Sequence, residues 1–423
     1  MKKFGNPQKV EWLFLDMNSY FASVEQQLHP EFRGKPLAVI PVESESTSAI
    51  AASYEAKAYG ISTGTPIYEA RQKCPDLICV MAKHNQYVEY HHKILEEVNR
   101  HIPIHAVASI DEMSCKLANN FQETDKAIQL AQNIKQGLAK NVGEYVRCSI
   151  GLSSNRFLAK VATDMEKPDG LVVVDPNALP QAFSHLKLSD LPGIGRNMLR
   201  RLYKNGVYSI EDLYNLSPKH MRSIWHSVGG ERFWYALHGQ EIPSIPTNRS
   251  TVGHSHVLDP EYRPPAKAEQ VARRLLIKAA TRLRRLEHYT RKMTVSIRSE
   301  NGDRYGHEVK FDACQDNHTL LHYMLGIWEL LITENKGNRI KKISITLHGL
   351  IQNPFDQLGL FTQTAQPEKD KERLKKASNA MDKLNEKFGR NTVVMGDLPD
   401  RQESFSGTKI AFSRIPDKQE FLE

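Results

Sequence analysis

The stretch WLFLDMNSYFASVE, residues 12–25, decides the fold because it joins an apolar strand to a helix through one carboxylate. The apolar run before Asp16 predicts a buried strand at residues 11–16, and SYFASVEQQLH predicts a helix capped by Asn18 or Ser19. Asp16 is therefore expected at a strand end, where a rigid sheet would fix its position. Taken alone, Asp16 can also be interpreted as a cap of the helix that follows.

Two further acids follow a second apolar stretch. HAVASI leads into Asp111 and Glu112, and MSCKL predicts the returning partner strand. If these strands neighbour the first strand in one sheet, Asp16, Asp111 and Glu112 converge. Three oxygen donors suit Mg²⁺, which keeps some water and takes further ligands from substrate phosphates. Two such ions would clamp the attacking and leaving oxygens of an in-line phosphoryl transfer. Adjacent aspartate and glutamate residues are common, so this pair indicates a metal site only together with the residues around it.

The composition predicts a globular protein of several domains. The chain has 423 residues, of which 40% are hydrophobic and 25% are charged. The net charge of +8 fits a polyanionic partner such as nucleic acid, although a basic surface without such a partner has the same balance. Five cysteines without CxxC spacing favour neither a disulfide framework nor a zinc site, and they fit a reducing cytosol. No apolar run reaches membrane-spanning length and no export segment is evident, so a cytoplasmic protein is predicted.

Strands and helices alternate irregularly up to about residue 175, which favours an α+β arrangement over a doubly wound sheet. The segments predicted as strands are PLAVIP (36–41), SAIAAS (48–53) and YVRCSIGL (145–152), and those predicted as helices are YEAKAYG, residues 123–140 and NRFLAKVATDME.

The second half of the chain has a different organisation. From residue 176 the pattern is wholly helical, and it ends in a polar stretch at 241–250 that we interpret as a linker. Residues 251–350 have the order β-α-β-β-α-β. Residues 351–423 are highly charged, and QPEKDKERLKK is predicted to be solvated or to form the surface of a helix.

Five segments taken together carry a resemblance to a known family. DMNSYFASVE, SYEAKAYGISTGTPIYEA, SIDE, GLSSNRFLAKVATDMEKPDG and LPGIGRNML, in this order and spacing, resemble Y-family translesion DNA polymerases over about residues 11–350. The resemblance implies template-directed, low-fidelity synthesis past damaged bases in SOS-type damage tolerance. It also implies an α+β, multi-domain right-hand polymerase with a ferredoxin-like palm (1–28 and 86–175), small fingers (29–85), a helical thumb with a helix-hairpin-helix (176–240) and a β-α-β-β-α-β little finger domain (251–350).

The resemblance implies roles for the residues of the catalytic centre. Asp16, Asp111 and Glu112 match the family's catalytic metal-binding acids, two Mg²⁺ ions are expected, and the backbone carbonyl of Met17 would be a further metal ligand. The expected dNTP-binding residues are Phe21 as a steric gate beneath the sugar, Tyr54 and Lys167 on the triphosphate, and Tyr20 and Lys57.

Three of these dNTP assignments have plainer alternatives from the residues alone. Phe21 fits a core aromatic, Lys167 fits a solvated turn lysine, and Tyr20 is undecided between core and nucleotide contact.

Three positions depart from the commoner family pattern. Lys57 stands where many members have arginine, so a point charge replaces a bidentate fork. Asn18 stands where many DinB-like members have aspartate, and Lys116 lies in the altered hairpin after the acids. UmuC-like members also tend to carry lysine at the first of these positions, so the subgroup stays open between DinB-like and UmuC-like.

Two regions are predicted to contact DNA. In LPGIGRNML, Gly193 and Gly195 would let backbone amides approach a phosphate, although a plain helix-turn-helix connection fits as well. The helix predicted at 266–288 has a basic face, which alone would be called solvated and beside a polymerase becomes a contact to the duplex backbone. Its predicted contact residues are Arg273, Arg274, Lys278 and Arg282, with Arg284 and Arg285 on the same face.

A short peptide after the little finger predicts a protein partner. DQLGLF, residues 356–361, is similar to the pentapeptide by which bacterial polymerases dock on the sliding clamp. Its docking residues would be Gln357, Leu358, Leu360 and Phe361. Primed DNA and dNTPs are the expected substrates, a UmuD-like or other accessory subunit is left open, and no membrane partner is expected.

Two rival functions accompany this prediction. A non-catalytic polymerase-like scaffold would bind DNA and the clamp, but retention of all three acids argues against it. A repair nuclease or glycosylase would use the hairpin for docking and would act without dNTPs.

Overall fold

The computed structural model describes residues 1–4, 9–45, 47–243, 249–352, 368–389 and 392–396. These residues form two compact units, one before residue 244 and one after residue 248. The division falls within the stretch predicted as a linker. The clamp-docking peptide predicted at 356–361 lies outside the described residues. Within the described chain, no helix combines the length and the apolar character that crossing a membrane requires.

The N-terminal unit is built around a six-stranded sheet. In order across the sheet the strands are β1 (Lys2–Phe4), β9 (Leu171–Val174), β8 (Cys148–Ser153), β2 (Trp12–Met17), β7 (Glu112–Lys116) and β6 (Ala106–Val107). β2 is antiparallel to both β7 and β8, whereas β9 is parallel to β8 and β1. The central strand β2 is buried along its whole length, as its apolar run predicts.

Helices cover both faces of this sheet. One face carries α1 (Tyr20–Leu28), α4 (His84–His101) and α5 (Thr124–Asn141), and the other carries α6 (Arg156–Met165). Side chains alternate along β2, so Leu13 and Leu15 share a core with Ile94 of α4 and Ile134 of α5. On the opposite face, Ala159 of α6 packs against β2.

A smaller sheet occupies the region predicted as fingers. Its strands, in order across the sheet, are β4 (Ala51–Ala52), β3 (Leu37–Ile40) and β5 (Ile78–Met81), and its helices are α2 (Tyr54–Ala58) and α3 (Ile67–Lys73). Ser53 caps α2, because its Oγ accepts a hydrogen bond from the N–H of Ala56 at 3.3 Å. The cap orients the first turn of α2, which carries the predicted nucleotide residue Tyr54.

A helical region completes the N-terminal unit, as the sequence predicts. Its helices are α7 (Arg196–Lys204), α8 (Ile210–Tyr214), α9 (Pro218–Trp225) and α10 (Val228–Leu237). The first helix of the predicted helix-hairpin-helix is only a 3-10 turn, Leu188–Asp190. Asn155 caps α6 and also donates through Nδ2 to the carbonyl of Ala236 at 2.7 Å. This hydrogen bond joins the helical region to the helix that covers the end of β2.

The C-terminal unit has the predicted β-α-β-β-α-β order. Its elements are β10 (Thr251–Val257), α11 (Pro265–Arg285), β11 (Thr290–Ser299), β12 (Arg304–Cys314), α12 (Asn317–Glu334) and β13 (Ile340–His348). The strands pair in the order β10-β13-β11-β12, and each pair is antiparallel. Both helices pack on one face of this sheet, where Val295 and Ile345 are fully buried.

A further helix, α13 (Glu368–Phe388), packs on the C-terminal unit. The buried guanidinium of Arg284 donates from Nε to Asp382 Oδ2 at 2.6 Å and from Nη2 to Asp382 Oδ1 at 2.8 Å. The sequence placed Arg284 on the exposed basic face of α11, and this prediction is wrong because the side chain is paired with α13. Of the two alternatives for the charged segment, a helix is confirmed for residues 368–376, the part that the structure describes.

Several elements are shorter than predicted or were not predicted. The strand predicted at 48–53 reduces to β4, and that predicted for HAVASI reduces to β6. The elements β1, β5, β9, α3 and α4 were not predicted from the sequence.

Candidate active site

Strand pairing brings the three predicted acids to one edge of the central sheet. Asp16 stands opposite Glu112 in the β2–β7 pair. The N–H of Met17 donates to the carbonyl of Asp111 at 2.8 Å. Because these bonds fix the register, Asp16, Asp111 and Glu112, hereafter the acid edge, cannot separate without breaking the sheet. The convergence that the sequence predicted is therefore present.

Asp16 lies beneath α6 because side chains alternate along a strand. Phe14 lies two residues earlier on the same face and packs against Ala159. Lys160 follows Ala159, and its Nζ lies 5.3 Å from the centre of the Phe14 ring. A lysine stem can lie along an aromatic ring while its ammonium reaches a polar group. This placement brings the ammonium of Lys160 to the acid edge.

Two lysines pair with Asp16 and Glu112 of the acid edge. Lys160 Nζ lies 2.6 Å from Asp16 Oδ2 and 2.8 Å from Glu112 Oε1. One helical turn after Lys160, Asp164 Oδ2 lies 3.4 Å from the same nitrogen. Lys167 Nζ lies 2.8 Å from Asp16 Oδ1 and 2.7 Å from Asp164 Oδ1. The result is a connected cluster of carboxylates and ammonium groups.

The cluster shifts the pKa values of its members in different directions. Burial acts to raise the pKa of Asp16, but Lys160 and Lys167 outweigh it and hold that pKa below its ordinary value. Burial raises the pKa of Glu112 in spite of Lys160, and it also raises the pKa of Asp111. Burial opposes the charge on Lys160, yet Asp16 and its neighbouring acids raise the pKa of Lys160. Asp16 therefore ionises at a lower pH than the other two acids of the edge, and Lys160 stays charged.

Hydrogen bonds to Asp111 and to the residue before it fix the position of this acid. Its Oδ1 accepts a hydrogen bond from the hydroxyl of Ser109 at 2.5 Å. The carbonyl of the preceding residue, Ile110, lies 2.7 Å from Nδ1 of the buried His91, which donates to it. Across the described part of the chain, no set of three or more histidine, cysteine, aspartate and glutamate side chains is arranged to enclose a metal ion. The acid oxygens are directed at ammonium groups and a hydroxyl instead.

The residues predicted to hold a triphosphate converge beside the acid edge. Lys57 Nζ lies 4.2 Å from the centre of the Tyr54 ring on α2. Burial, and then the charge of Lys167, lower the pKa of Lys57. Burial raises the pKa of Tyr54, whose hydroxyl also experiences the charges of Lys167 and Asp16. Two ammonium groups and a phenol thus face the same space next to Asp16.

Tyr20 and Phe21 begin α1 and have different surroundings. Tyr20 is only 4% exposed, and its hydroxyl donates to the carbonyl of Tyr87 at 2.6 Å. The core alternative for Tyr20 is therefore favoured over a nucleotide contact. The ring of Phe21 is only partly buried and stacks on the ring of Tyr87, with centroids 4.4 Å apart. Phe21 thus rests on a buried tyrosine and keeps an exposed part.

Asn18 has a structural role that the sequence did not indicate. Its Oδ1 accepts from the N–H of Asp169 at 2.7 Å, and its Nδ2 donates to Ser149 Oγ at 3.0 Å. Lys135 holds the same turn by donating to the carbonyl of Asp169 at 2.5 Å. Asp169 lies two residues after Lys167, so the end of β2 is tied to the turn that presents Lys167.

Gly193 and Gly195 precede α7 as the predicted hairpin requires. Gly193 has φ 94°, a backbone conformation that residues with a side chain rarely adopt. Apart from Gly195 itself and its two chain neighbours, no residue has an atom within 4 Å of the position that a Cβ would take at Gly195. The backbone at this turn is accordingly accessible to a phosphate.

The four basic residues predicted as DNA contacts on α11 differ in their surroundings. Lys278 is exposed, whereas Arg282 is half-buried. Arg273 is paired with Glu269 at 2.6 Å. Arg274 is half-buried, and burial lowers its pKa. The face is basic, but of these four side chains only that of Lys278 is exposed, and the three arginines are half-buried.

The C-terminal sheet has a second basic surface on the face away from α11 and α12, which we call the open sheet face. The hydroxyl side chains of Thr294, Ser296 and Thr346 occupy its middle, together with Glu308, whose Oε1 lies 3.9 Å from Lys292 Nζ. Cationic side chains form a row at each end, and about 3.3 Å of rise per residue places the rows about 20 Å apart. By strand register the rows are Lys292 and Lys310, beside His348, at one end and Arg298, Arg304 and Lys342 at the other. This surface was not predicted from the sequence, although polar and apolar residues alternate in KMTVSIR and the polar positions begin and end with a basic residue.

Both parts of the chain match one protein family. Residues 15–164 match the impB/mucB/samB family, and residues 249–360 match the impB/mucB/samB family C-terminal domain. The first match contains the whole acid edge, and the second begins with the C-terminal unit.

Curated relatives and solved structures agree with these matches. DNA polymerase IV of Moorella thermoacetica is 28% identical over 394 residues, which cover 90% of this chain and 94% of the relative. DNA polymerase IV of Saccharolobus solfataricus is 31% identical over 256 residues, which cover 59% of this chain and 71% of the relative. The Y-family DNA polymerase chimera Dbh-Dpo4-Dbh has a TM-score of 0.69 at 25% identity, covering 81% of this chain and 99% of that chain. An insertion ternary complex of Dbh DNA polymerase has a TM-score of 0.53 at 27% identity with the same coverage.

Proposed function

The chain belongs to the Y family of DNA polymerases, which carry out DNA-directed translesion synthesis, and we propose that its nucleotidyl transfer takes place at the acid edge. The observation that carries the proposal is the strand register, which holds Asp16 opposite Glu112 beside Asp111. Primed DNA and dNTPs are the substrates that this family membership implies. In the proposed reaction the 3′-oxygen of the primer attacks the α-phosphate of a dNTP and pyrophosphate leaves.

The acid edge has the donor chemistry for two Mg²⁺ ions. Carboxylate oxygens from paired strands, with the carbonyl of Met17, are hard ligands of the kind that Mg²⁺ prefers. Three acids held together also require positive charge, which Lys160 and Lys167 supply here. When bound, the ions would activate the primer hydroxyl and stabilise charge on the leaving oxygen.

The triphosphate is assigned to Lys167, Lys57 and Tyr54. Lys167 contacts Asp16 and Asp164 in this structure, and phosphate oxygens offer its ammonium a third set of acceptors. Lys57 contributes a point charge where the commoner arginine would offer a fork. These two charges would offset part of the negative charge of the triphosphate and orient it.

Sugar selection is assigned to Phe21. Its ring is supported by Tyr87 from one side, so it cannot easily move away from a nucleotide on its exposed side. A fixed ring beneath the sugar leaves no room for a 2′-hydroxyl. We assign no nucleotide contact to the buried Tyr20.

Duplex DNA is assigned to the hairpin turn at Gly193 and Gly195 and to the basic surfaces of the C-terminal unit. Among these surfaces the open sheet face is favoured over α11 because its end rows carry exposed cations such as Arg298, Arg304 and Lys342. The α11 contacts at Arg273, Arg274, Lys278 and Arg282 remain part of the proposal. Both surfaces would bind the phosphate backbone without regard to sequence, and binding would weaken with salt.

A sliding clamp is the proposed protein partner. The support is the sequence of residues 357–361, whose Leu360 and Phe361 can fill an apolar pocket while the glutamine leads the peptide. A UmuD-like accessory subunit, a cytoplasmic location and a part in the SOS response are extensions of the same proposal.

Primer extension tests this function against that of a non-catalytic scaffold. The full chain is mixed with Mg²⁺, four dNTPs and a primed template, either undamaged or carrying one damaged base, and DNA binding is measured in parallel. Primer extension is expected on both the undamaged and the damaged template. Binding of primed DNA without any synthesis would favour the scaffold, and cleavage of DNA without dNTPs would favour a nuclease.

A further inference from the structure

The ammonium of Lys160 lies between Asp16 and Glu112, which the β2–β7 register places side by side on one face of the sheet. It is 2.6 Å from Asp16 Oδ2 and 2.8 Å from Glu112 Oε1. A divalent cation held by these acids needs the same carboxylate oxygens. Lys160 and the cation therefore compete for one position.

We propose that Lys160 is an exchangeable counter-ion of the acid edge, which neutralises Asp16 and Glu112 before a divalent ion binds and moves to Asp164 when the ion takes its place. The inference rests on the proposed function, because that function requires a divalent ion at the acid edge. It gives Lys160 and Asp164 positioning roles in addition to those of the acids.

The geometry provides a short path for this exchange. Asp164 lies one turn after Lys160 on α6, and its Oδ2 is already 3.4 Å from the ammonium. The side chain of Asp164 is 35% exposed, against 8% for Asp16, so the ammonium would move toward solvent. Rotation of a flexible lysine stem accomplishes this movement without a change in the backbone.

The counter-ion role of Lys160 explains how the acids can stay close together when no metal ion is bound. Like charges held within a few ångströms repel strongly in a site shielded from water. Lys160 and Lys167 offset that repulsion, and the strand pairing then keeps the carboxylates in place for the incoming ion. Asp164 contacts both lysines and so remains a partner for Lys160 after its ammonium leaves Asp16.

Titration of the full-length chain with Mn²⁺, followed by electron paramagnetic resonance without DNA or nucleotide, tests the proposal. Lys160→Met removes the competing charge and should tighten Mn²⁺ binding by about tenfold or more relative to wild type. Lys160→Arg keeps the charge and should not tighten it. Lys93→Met is a matched control, because Lys93 pairs with Glu89 on the surface of α4, and its affinity should equal that of wild type.

A second measurement covers the case in which Lys160→Met does not fold. In wild-type protein with ¹⁵N-labelled lysine, the Lys160 ammonium resonance should shift on addition of Mg²⁺. Either an unchanged or weaker Mn²⁺ affinity in folded Lys160→Met, equal tightening by Lys160→Arg, or an unmoved ammonium resonance would overturn the exchange. Such a result together with normal DNA synthesis would leave the proposed function intact, whereas absent synthesis would remove that function whatever the titration shows.

Discussion

Two adjacent aromatic side chains on the first turn of α1 show how much one position changes a residue's role. The hydroxyl of Tyr20 is committed to the carbonyl of Tyr87, whereas the ring of Phe21 rests on the ring of Tyr87 and keeps one part exposed. From the sequence both residues fit a core or a nucleotide contact. Only the packing separates them.

The first prediction concerns Phe21. Replacing Phe21 by Ala should raise the incorporation of ribonucleotides relative to deoxyribonucleotides by at least about tenfold, because the space beneath the sugar opens. Tyr20→Phe is the matched control: it removes one buried hydrogen bond, costs about 1 kcal/mol of stability and leaves the ratio unchanged. The ratio is measured by single-nucleotide incorporation. An unaltered ratio in Phe21→Ala would remove the assignment of the gate.

The second prediction concerns His91, which donates to the carbonyl beside Asp111. Burial lowers the pKa of His91 to about 4, below its ordinary value of 6.5. Between these values the unfolded chain binds a proton that the folded chain does not, so stability falls as pH drops from 6.5 to 4, by about 3 kcal/mol. His91→Asn keeps a donor for Ile110 and does not titrate, so the pH dependence should become shallower by about that amount.

Denaturant unfolding of the N-terminal unit at several pH values between 4 and 7 measures this effect. His220→Asn, on the exposed surface of α9, serves as the control for replacing a histidine by asparagine. A curve for His91→Asn that matches wild type would contradict the account.

At the scale of elements, Asp382 of α13 pairs with the buried guanidinium of Arg284, and the N–H of Asn317 adds a hydrogen bond to Ser378 Oγ of the same helix at 3.0 Å. Asp382→Ala would leave the guanidinium of Arg284 without its carboxylate, which costs on the order of 3 kcal/mol for a buried ion. The control is Glu372→Ala, which breaks an exposed pair with Lys376 and should cost less than about 1 kcal/mol. Hydrogen exchange along α12 and α13 measures the difference. Equal protection in the two variants would show that the pair does not hold α13.

Elements with a strong local pattern could be predicted from the sequence, and those that depend on distant partners could not. The apolar run before Asp16 predicts β2 because a fully buried strand needs no partner to be recognised. Lys160 and Asp164 were missed, because their role depends on α6 covering the Asp16 face of β2. The spacing of four and then three residues from Lys160 to Asp164 to Lys167 was the available signal.

The docking of α13 on α11 could not be predicted for a related reason. Arg284 and its partner Asp382 are 98 residues apart in sequence, and a highly charged segment gives little apolar periodicity. The acid edge, in contrast, was predictable because two strand ends and the family resemblance pointed to the same three residues. The contacts of Asp16 and Glu112 with lysines could not be predicted, because they depend on how α6 packs over β2.

At the scale of the whole molecule, the positive charge of the C-terminal unit is the main candidate for holding duplex DNA. Replacing both Arg298 and Arg304 by Ser should lower the slope of log affinity against log salt by about 2, because each phosphate contact contributes about 0.9. The matched pair on α11, Lys278→Ser with Arg282→Ser, should have a smaller effect. Fluorescence anisotropy with a primed duplex measures both slopes. If the α11 pair changed the salt slope more than the Arg298 and Arg304 pair, α11 would be the main DNA-binding surface instead.

The central claim is that the acid edge performs the chemistry. The most direct test is single-turnover incorporation of one dNTP with Mg²⁺ by Glu112→Gln, with affinity for primed DNA measured alongside. Loss of one carboxylate charge should slow incorporation by about 10³-fold while DNA affinity stays near that of wild type. Glu89→Gln, an exposed acid on α4, is the control and should incorporate at the wild-type rate. Incorporation by Glu112→Gln at the rate of Glu89→Gln would contradict the account.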